Sequence, residues 1–415
     1  MTGADQVARR IAAMEASAAR AIVSGIARHT PVLSSRSLSE RCGGGILLKA
    51  ENLQRTGSFK LRGATHKLAH LGDARGVVAG SAGNHGQSLA YAARARGMQC
   101  EVFMPTEAPV AKVAAVEAFG GIVNLAGDSV DACVAAARER AAESGAAFVH
   151  PFDDPDIILG QATLGLELLD DVPDLAAVVV PVGGGGLITG VAGVIKTERP
   201  EVRVIGVLVE TCAPFVDALR GVATEPVGAA VTIADGIAIK RPGEIALSLA
   251  QRWVDEMVTV REDDVADAMV WLLERSKLVV EGGGAVGVAA LLAGRLTPPG
   301  HGSTVIVLSG GNVDAGLLAA IAHRHETIAG RRLRLFTTVP DRPGGLAALL
   351  ALIAEAGGNV VHANHVREAV PLRVRETGLE VALETRGAQH SDAILASLQD
   401  AGYRVRRSNL TDEDE

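Results

Sequence analysis

Ala177-Val178-Val179-Val180-Pro181-Val182-Gly183-Gly184-Gly185-Gly186-Leu187 joins an apolar run, four consecutive glycines and the start of an amphipathic stretch. A short run rich in valine reads as a strand buried on both faces, as in a parallel sheet covered by helices. Glycines at the carboxyl end of such a strand let the backbone turn tightly and aim successive N–H groups at one point. The positive end of the following helix favours an anion there. Gly183, Gly184, Gly185, Gly186 and Leu187 are therefore candidates for holding a phosphate, at the strand end where open α/β sheets bind ligands. No Walker lysine follows and the spacing is not GxGxxG, so neither an NTPase nor a dinucleotide enzyme is favoured. A purely structural turn is the alternative, and it has no need of four glycines.

The same rhythm extends outward. Short apolar runs at 46–48, 77–79, 102–104, 122–125, 148, 204–209 and 305–308 alternate with helical periodicity at 87–96, 110–119, 129–143 and 266–275. This predicts an α/β fold, a doubly wound sheet in two lobes, over residues 1–324. Beyond Arg324 the pattern breaks. Residues 325–331 are expected to link to a separate unit at 332–409, with strands at 333–339, 360–366, 379–384 and 403–407 and helices at 346–356 and 392–401. That βαββαβ order is ferredoxin-like. The acidic residues 410–415 are expected to form a disordered tail.

A chain of 415 residues with 48% hydrophobic content is long enough for more than one core. Its net charge of −8 comes with interleaved signs and no basic stripe, so no nucleic-acid partner is expected. Four scattered cysteines without a CxxC pair fit a reducing cytoplasm. Arg9 and Arg10 precede no apolar core of a signal peptide, and no apolar stretch approaches the roughly 20 residues of a membrane span, so neither export nor a membrane is expected.

Other expected strand ends carry chemistry-bearing residues. Lys60 follows Gly57, Ser58 and Phe59 at an expected helix start, with Ser58 as cap. The positive end of a helix disfavours an ammonium and so favours the free amine, which attacks an aldehyde and serves as a base. Taken alone, such a lysine is an ordinary solvated side chain. Ser81, Ala82, Gly83, Asn84 and His85 form a turn able to capture a substrate carboxylate, with an Asn-rich turn capped by His85 as the equal alternative. Ser309, in Ser309-Gly310-Gly311-Asn312, places a hydroxyl at one more strand end. Glu281 is either functional or simply paired at a helix start. His362 and His365 would point to opposite faces of one strand and are not expected to share an ion.

Together these segments resemble the fold-type II pyridoxal-phosphate family, most closely its threonine/serine dehydratase branch, from about residue 20 to the end. The resemblance implies pyridoxal 5'-phosphate as cofactor, Lys60 as the Schiff-base lysine and catalytic base, and Phe59 as a cofactor neighbour. It also implies Asn84 at the cofactor's phenolate oxygen, Gly183 to Leu187 at its phosphate, and Ser309 at its ring nitrogen. A neutral hydroxyl there would favour loss of a β-substituent over transamination. The segments around His150 to Asp153, Gly160-Gln161 and Asp235 to Glu244 look like dehydratase scaffold. Related serine racemases carry a second basic serine where this chain has Ala82, so dehydration and deamination of an amino acid are implied over racemisation. Few oxygen ligands surround Glu210, and no essential metal is expected.

Residues from 332 onward resemble an ACT domain. The turn of Pro340, Asp341, Arg342, Gly344 and Leu346 would receive an amino-acid effector such as isoleucine or valine, or the unit would serve only to build a homodimer or homotetramer. The rival from another class is a catalytically idle amino-acid sensor, against which Lys60, Asn84, the glycine run and Ser309 all argue.

Overall fold

Five parallel strands and one antiparallel edge strand make the larger sheet. The structure, a computed structural model, describes residues 2–13, 15–221, 231–366, 372–373 and 375–408. In spatial order the strands of this sheet are β1 (Val32–Ser34), β2 (Gly45–Lys49), β10 (Ser303–Val307), β7 (Leu175–Pro181), β8 (Arg203–Val209) and β9 (Glu256–Val260). β10, the last of these in sequence, lies between β2 and β7, with Val307 opposite Lys49 and Ile306 opposite Val179. Because the three run parallel, the segments leaving their carboxyl ends emerge side by side. These are the segments that lead to Lys60, Ser309 and Gly183.

The smaller sheet is wholly parallel. Its strands, again in spatial order, are β5 (Ile122–Leu125), β4 (Gln99–Met104), β3 (Gly76–Gly80) and β6 (Ala147–Phe148). Around the two sheets run α1 (Gly3–Ala12), α2 (Glu15–Ser24), α3 (Arg36–Cys42), α4 (Lys60–Ala69), α5 (Asn84–Ala95), α6 (Val110–Ala118) and α7 (Val130–Ser144). They are followed by α8 (Pro155–Asp171), α9 (Gly186–Glu198), α10 (Pro214–Leu219), α11 (Glu244–Trp253), α12 (Glu262–Trp271) and α13 (Gly282–Leu292). Each sheet has its own apolar core, one built on Val178, Val180, Ile188 and Val305, the other on Leu61, Val77, Leu89 and Val102. Fully burying one such side chain contributes roughly 1.5–3 kcal/mol. α4 and α8 cross backbone to backbone, since a Cβ on Gly160 would lie 2.6 Å from the Gly63 Cα.

The helix expected at 266–275 begins earlier and ends differently. α12 gives way to a π-helical turn at Leu272–Ser276, closed by Lys277 at φ 60°.

A second compact unit comprises Ala315–Glu415, after Met1–Asp314. It contains α14 (Ala315–Ile328), β11 (Arg332–Pro340), α15 (Gly345–Glu355), β12 (Asn359–Val366), β13 (Glu376–Glu384), α16 (Ala388–Asp400) and β14 (Arg406–Arg407). Its antiparallel sheet has the order β12-β13-β11-β14, and its core gathers Leu335, Leu349, Ile353, Leu379 and Ile394. The segment 325–331, expected as a linker, carries the last turn of α14 as far as Ile328, and Gly330 at φ 69° then turns the chain into β11. The expected tail 410–415 lies outside the described residues. Among the described residues no helix is long and apolar enough to cross a membrane, and all four cysteines are free.

Candidate active site

Lys60 is the first residue of α4, preceded by Phe59 at the N-cap with no side-chain capping bond. The expected cap, Ser58, is drawn instead into a β-bridge with Gly310, and the Phe59 amide donates to the Ser309 carbonyl at 3.0 Å. Two strand ends are thereby stitched together beside the lysine. The Lys60 Nζ donates to the Pro151 carbonyl at 2.7 Å and stands 5.2 Å from the centre of the Phe59 ring. Burial pushes its pKa down to about 8, opposed by the negative charge of Glu281.

α4 is held from the same first turn. The Arg62 guanidinium donates to both oxygens of Glu51 (2.8 and 2.7 Å) and both oxygens of Glu167 (2.7 and 2.9 Å), with all three residues buried. Lys49 joins at 2.7 Å from Glu167. Burying so many charges is tolerable only because each donor meets an acceptor.

Gly183 to Gly186 leave β7 and enter α9, whose N-cap Gly185 has φ +91°. A Cβ there would also lie 2.5 Å from the Phe215 ring, so conformation and packing both demand glycine. Among the described residues, no group accepts from the backbone N–H groups of Gly183 to Ile188. Six unengaged donors on a glycine loop at a helix start make a cradle that fits a phosphate.

One cleft is lined by Phe59, Lys60, Asn84, Gly183, Gly184, Gly185, Gly186, Leu187 and Ser309, together with Pro151, Phe152, Gln161, Gly236, Ile237, Ile239 and Glu281. The fold thus brings together every residue expected at the cofactor. Residues 23–310 match the family described as pyridoxal-phosphate dependent enzyme. The chain belongs to that family. Residues 333–401 match the ACT domain. Over 391 residues the chain is 45% identical to an L-threonine ammonia-lyase of Thermotoga maritima, covering 94% of this chain and 97% of that protein. The crystal structure of a T.th. threonine deaminase superposes with a TM-score of 0.69 at 38% identity, covering 72% of this chain and 98% of that one. Maize serine racemase gives 0.70 at 32%, covering 76% and 97%.

In this pyridoxal-phosphate-dependent enzyme the turn at 81–85 contributes only Asn84 to the cleft lining. Ser81 Oγ accepts from the Gly83 and Gly86 amides (3.2 and 3.1 Å) and so shapes the turn. His85 is buried, bonded through Nε2 to the Val149 carbonyl at 3.1 Å, and kept neutral by burial that pushes its pKa down to about 3. Ala82 and Gly83 are partly exposed beside it. Asn84 is gripped from two sides. Asn312 Nδ2 donates to its Oδ1 at 2.7 Å, and its Nδ2 donates to Glu281 Oε1 at 2.7 Å. Burial and the charge of Asp235 push the Glu281 pKa up to about 7.

Glu281, open between two roles in the sequence, is thus part of the cleft, as are Phe152, Gly236 and Ile237 from segments expected to be scaffold. Their signal was a glycine or proline at a break between elements: Pro151 before Phe152, Gly282 after Glu281, and Gly236 itself beside Ile237. Asp153 does act as scaffold, its carboxylate accepting from the amides of Glu244, Ile245 and Ala246 at the start of α11.

A second, roomier groove opens at α2, but Arg20 there pairs with Asp170, and His29 with Asp171. In the ACT unit, Pro340 ends β11, Asp341 and Arg342 are exposed, Gly344 caps α15 at φ +90°, and Leu346 packs on the domain core.

Proposed function

We propose that the chain is a threonine ammonia-lyase, converting L-threonine to 2-oxobutanoate and ammonia and, more slowly, L-serine to pyruvate. One observation carries this: a low-pKa amine, an unengaged amide cradle and a buried hydroxyl share one cleft in a chain 45% identical to such a lyase. When bound, pyridoxal phosphate supplies an electron sink for the pair left at the substrate Cα. The amides of Gly183 to Leu187 are assigned to its phosphate, Ser309 to its ring nitrogen, and Asn84 to its phenolate oxygen. Phe59 flanks it. Lys60 takes the Cα proton as a neutral amine, and the β-hydroxyl departs as water. The enamine released then takes up one water, so the net loss is ammonia. Ser81 and the turn through His85 frame the side from which the substrate carboxylate approaches.

A serine-racemase reading has the fold likeness to the maize enzyme behind it. Against it, Ala82 offers a methyl where the racemases of the resemblance carry a base, leaving Lys60 as the single proton carrier. The ACT unit is assigned to feedback by isoleucine or valine at the turn of Pro340, Asp341, Arg342, Gly344 and Leu346, consistent with a cytoplasmic homo-oligomer serving isoleucine synthesis. The test is 2-oxo-acid formation from L-threonine, L-serine and D-serine, each with and without isoleucine. L-Threonine is expected to react fastest and D-serine not at all; equal rates on D- and L-serine overturn the assignment. Lys60→Ala is expected to abolish both the reaction and covalent retention of the cofactor after borohydride reduction.

A further inference from the structure

α4 carries His66 and, at its C-terminal end, His70 four residues on, hence on one face, and that face meets the first turn of α8 at Asp156. Each residue offers one ligand atom, and the three atoms lie within 4.8 Å of one another. Ligands about 2.0–2.1 Å from one tetrahedral ion stand roughly 3.4 Å apart, so the three must draw together to share an ion, and His70 is the exposed member. The ring centres of the two histidines are already 4.3 Å apart.

Each histidine is also held in one tautomer. His66 Nδ1 is bonded to the Asp156 carbonyl at 2.7 Å, and His70 Nδ1 to the His66 carbonyl at 2.8 Å. A carbonyl only accepts, so each Nδ1 carries the proton and each Nε2 keeps a lone pair. His66 is 3% exposed and His70 lies on the surface, so the site has a fixed floor and an open mouth.

The neighbouring charges leave room for a cation. Arg10 and Lys67 both touch the Asp156 carboxylate, at 2.8 and 3.2 Å. Each has a shorter contact elsewhere: Arg10 with Glu15 at 2.7 Å, Lys67 with Asp154 at 2.8 Å. Three carboxylates thus face two cations, and the Asp156 carboxylate, with one of them at each oxygen, is shared with both beside the two imidazoles.

We propose that His66, His70 and Asp156 bind a divalent transition ion of the Zn²⁺, Co²⁺ or Ni²⁺ type, with water completing its shell. Imidazole and carboxylate ligands suit these ions over Mg²⁺ or Ca²⁺. The ion clips α4 to α8 at the end of α4 away from Lys60, so it stabilises the fold and takes no part in the reaction. The test is calorimetric titration of chelator-treated holoenzyme with Zn²⁺, paired with thermal unfolding. The intact enzyme is expected to bind one ion per chain and to melt at higher temperature with it. His70→Ala, at an exposed position, is expected to keep full lyase activity, to bind about tenfold or more weakly, and to lose the thermal shift. Asp156→Asn is expected to weaken binding as well. Undiminished binding by His70→Ala, or no saturable binding to the intact enzyme below millimolar Zn²⁺, overturns the proposal.

Discussion

An exposed lysine keeps its proton to about pH 10.5, and the neighbourhood of Lys60 removes most of that margin. Burial carries its pKa down to about 8, while the Glu281 carboxylate holds it from falling further. Capture of pyridoxal phosphate by the apoenzyme needs the neutral amine, so its rate is expected to rise with pH and level off above about 8. Replacing Glu281 with glutamine removes the stabilising charge, and the midpoint is expected to move down by up to roughly one unit. Stopped-flow absorbance across pH 6–10 checks both; a midpoint unmoved in Glu281→Gln would falsify the coupling. The sequence points to the helix start as the cause of a reactive amine, whereas the larger cause is enclosure by segments distant in sequence, which no local pattern encodes. His150 presents the converse case. Its Nδ1 accepts from the Asp153 amide at 2.8 Å, and burial pushes its pKa down to about 4 from an ordinary 6.5. The unfolded chain therefore binds a proton that the folded chain refuses. Stability is full above pH 6.5 and declines as pH falls toward 4, by on the order of 3 kcal/mol for this residue. Urea unfolding of the apoenzyme at pH 6.5 and 4.5 is expected to show that loss, and His150→Gln to show less of it.

At the scale of elements, the catalytic helix is anchored by ions as well as by apolar packing. Arg62, in the first turn of α4, ties Glu51 to Glu167 of α8. Arg62→Met would leave buried Glu51 without its ion-pair partner and Glu167 with Lys49 alone, and the expected cost is about 3–5 kcal/mol of apoenzyme stability. Arg62→Lys is expected to recover only part, because an ammonium cannot span both carboxylates in forked fashion. Guanidinium-chloride unfolding measures the difference, and a loss below about 1 kcal/mol would refute the anchoring role. None of this network is legible in the sequence, where no local pattern links Lys49, Glu51, Arg62 and Glu167. The strands, by contrast, were legible: continuous apolar runs such as the one ending at Val182 have no soluble alternative to a covered parallel sheet, and β7 is buried from Ala177 onward. The glycine run was legible for the same reason, its place at a strand end leaving few other uses. The strand order was not. Only the insertion of β10 between β2 and β7 shows why Ser309, Lys60 and Gly183 meet, and that depends on pairings between segments far apart in the chain.

For the whole molecule, the chain is two compact units with separate cores, and the division falls between Asp314 and Ala315. The change in pattern read at Arg324 falls inside α14, which runs unbroken from Ala315 to Ile328. Every cleft residue lies in the first unit. The solved threonine deaminase is matched over 98% of its length by 72% of this chain, so a chain of nearly that extent alone holds such a fold. A truncation ending at Asp314 is therefore expected to bind pyridoxal phosphate and to deaminate L-threonine with kcat within a few-fold of the full chain. The assigned effector site, at Pro340 to Leu346, goes with the deleted unit, so isoleucine and valine are expected to lose all effect on the truncated enzyme while altering KM or kcat of the full chain. Initial rates over a range of L-threonine, with and without each branched amino acid, separate the outcomes. A truncated enzyme still responsive to isoleucine would place the effector in the catalytic unit. A folded, cofactor-loaded but inactive one would mean that the ACT unit is needed to complete the active form, which is the oligomer-building role in place of the regulatory one.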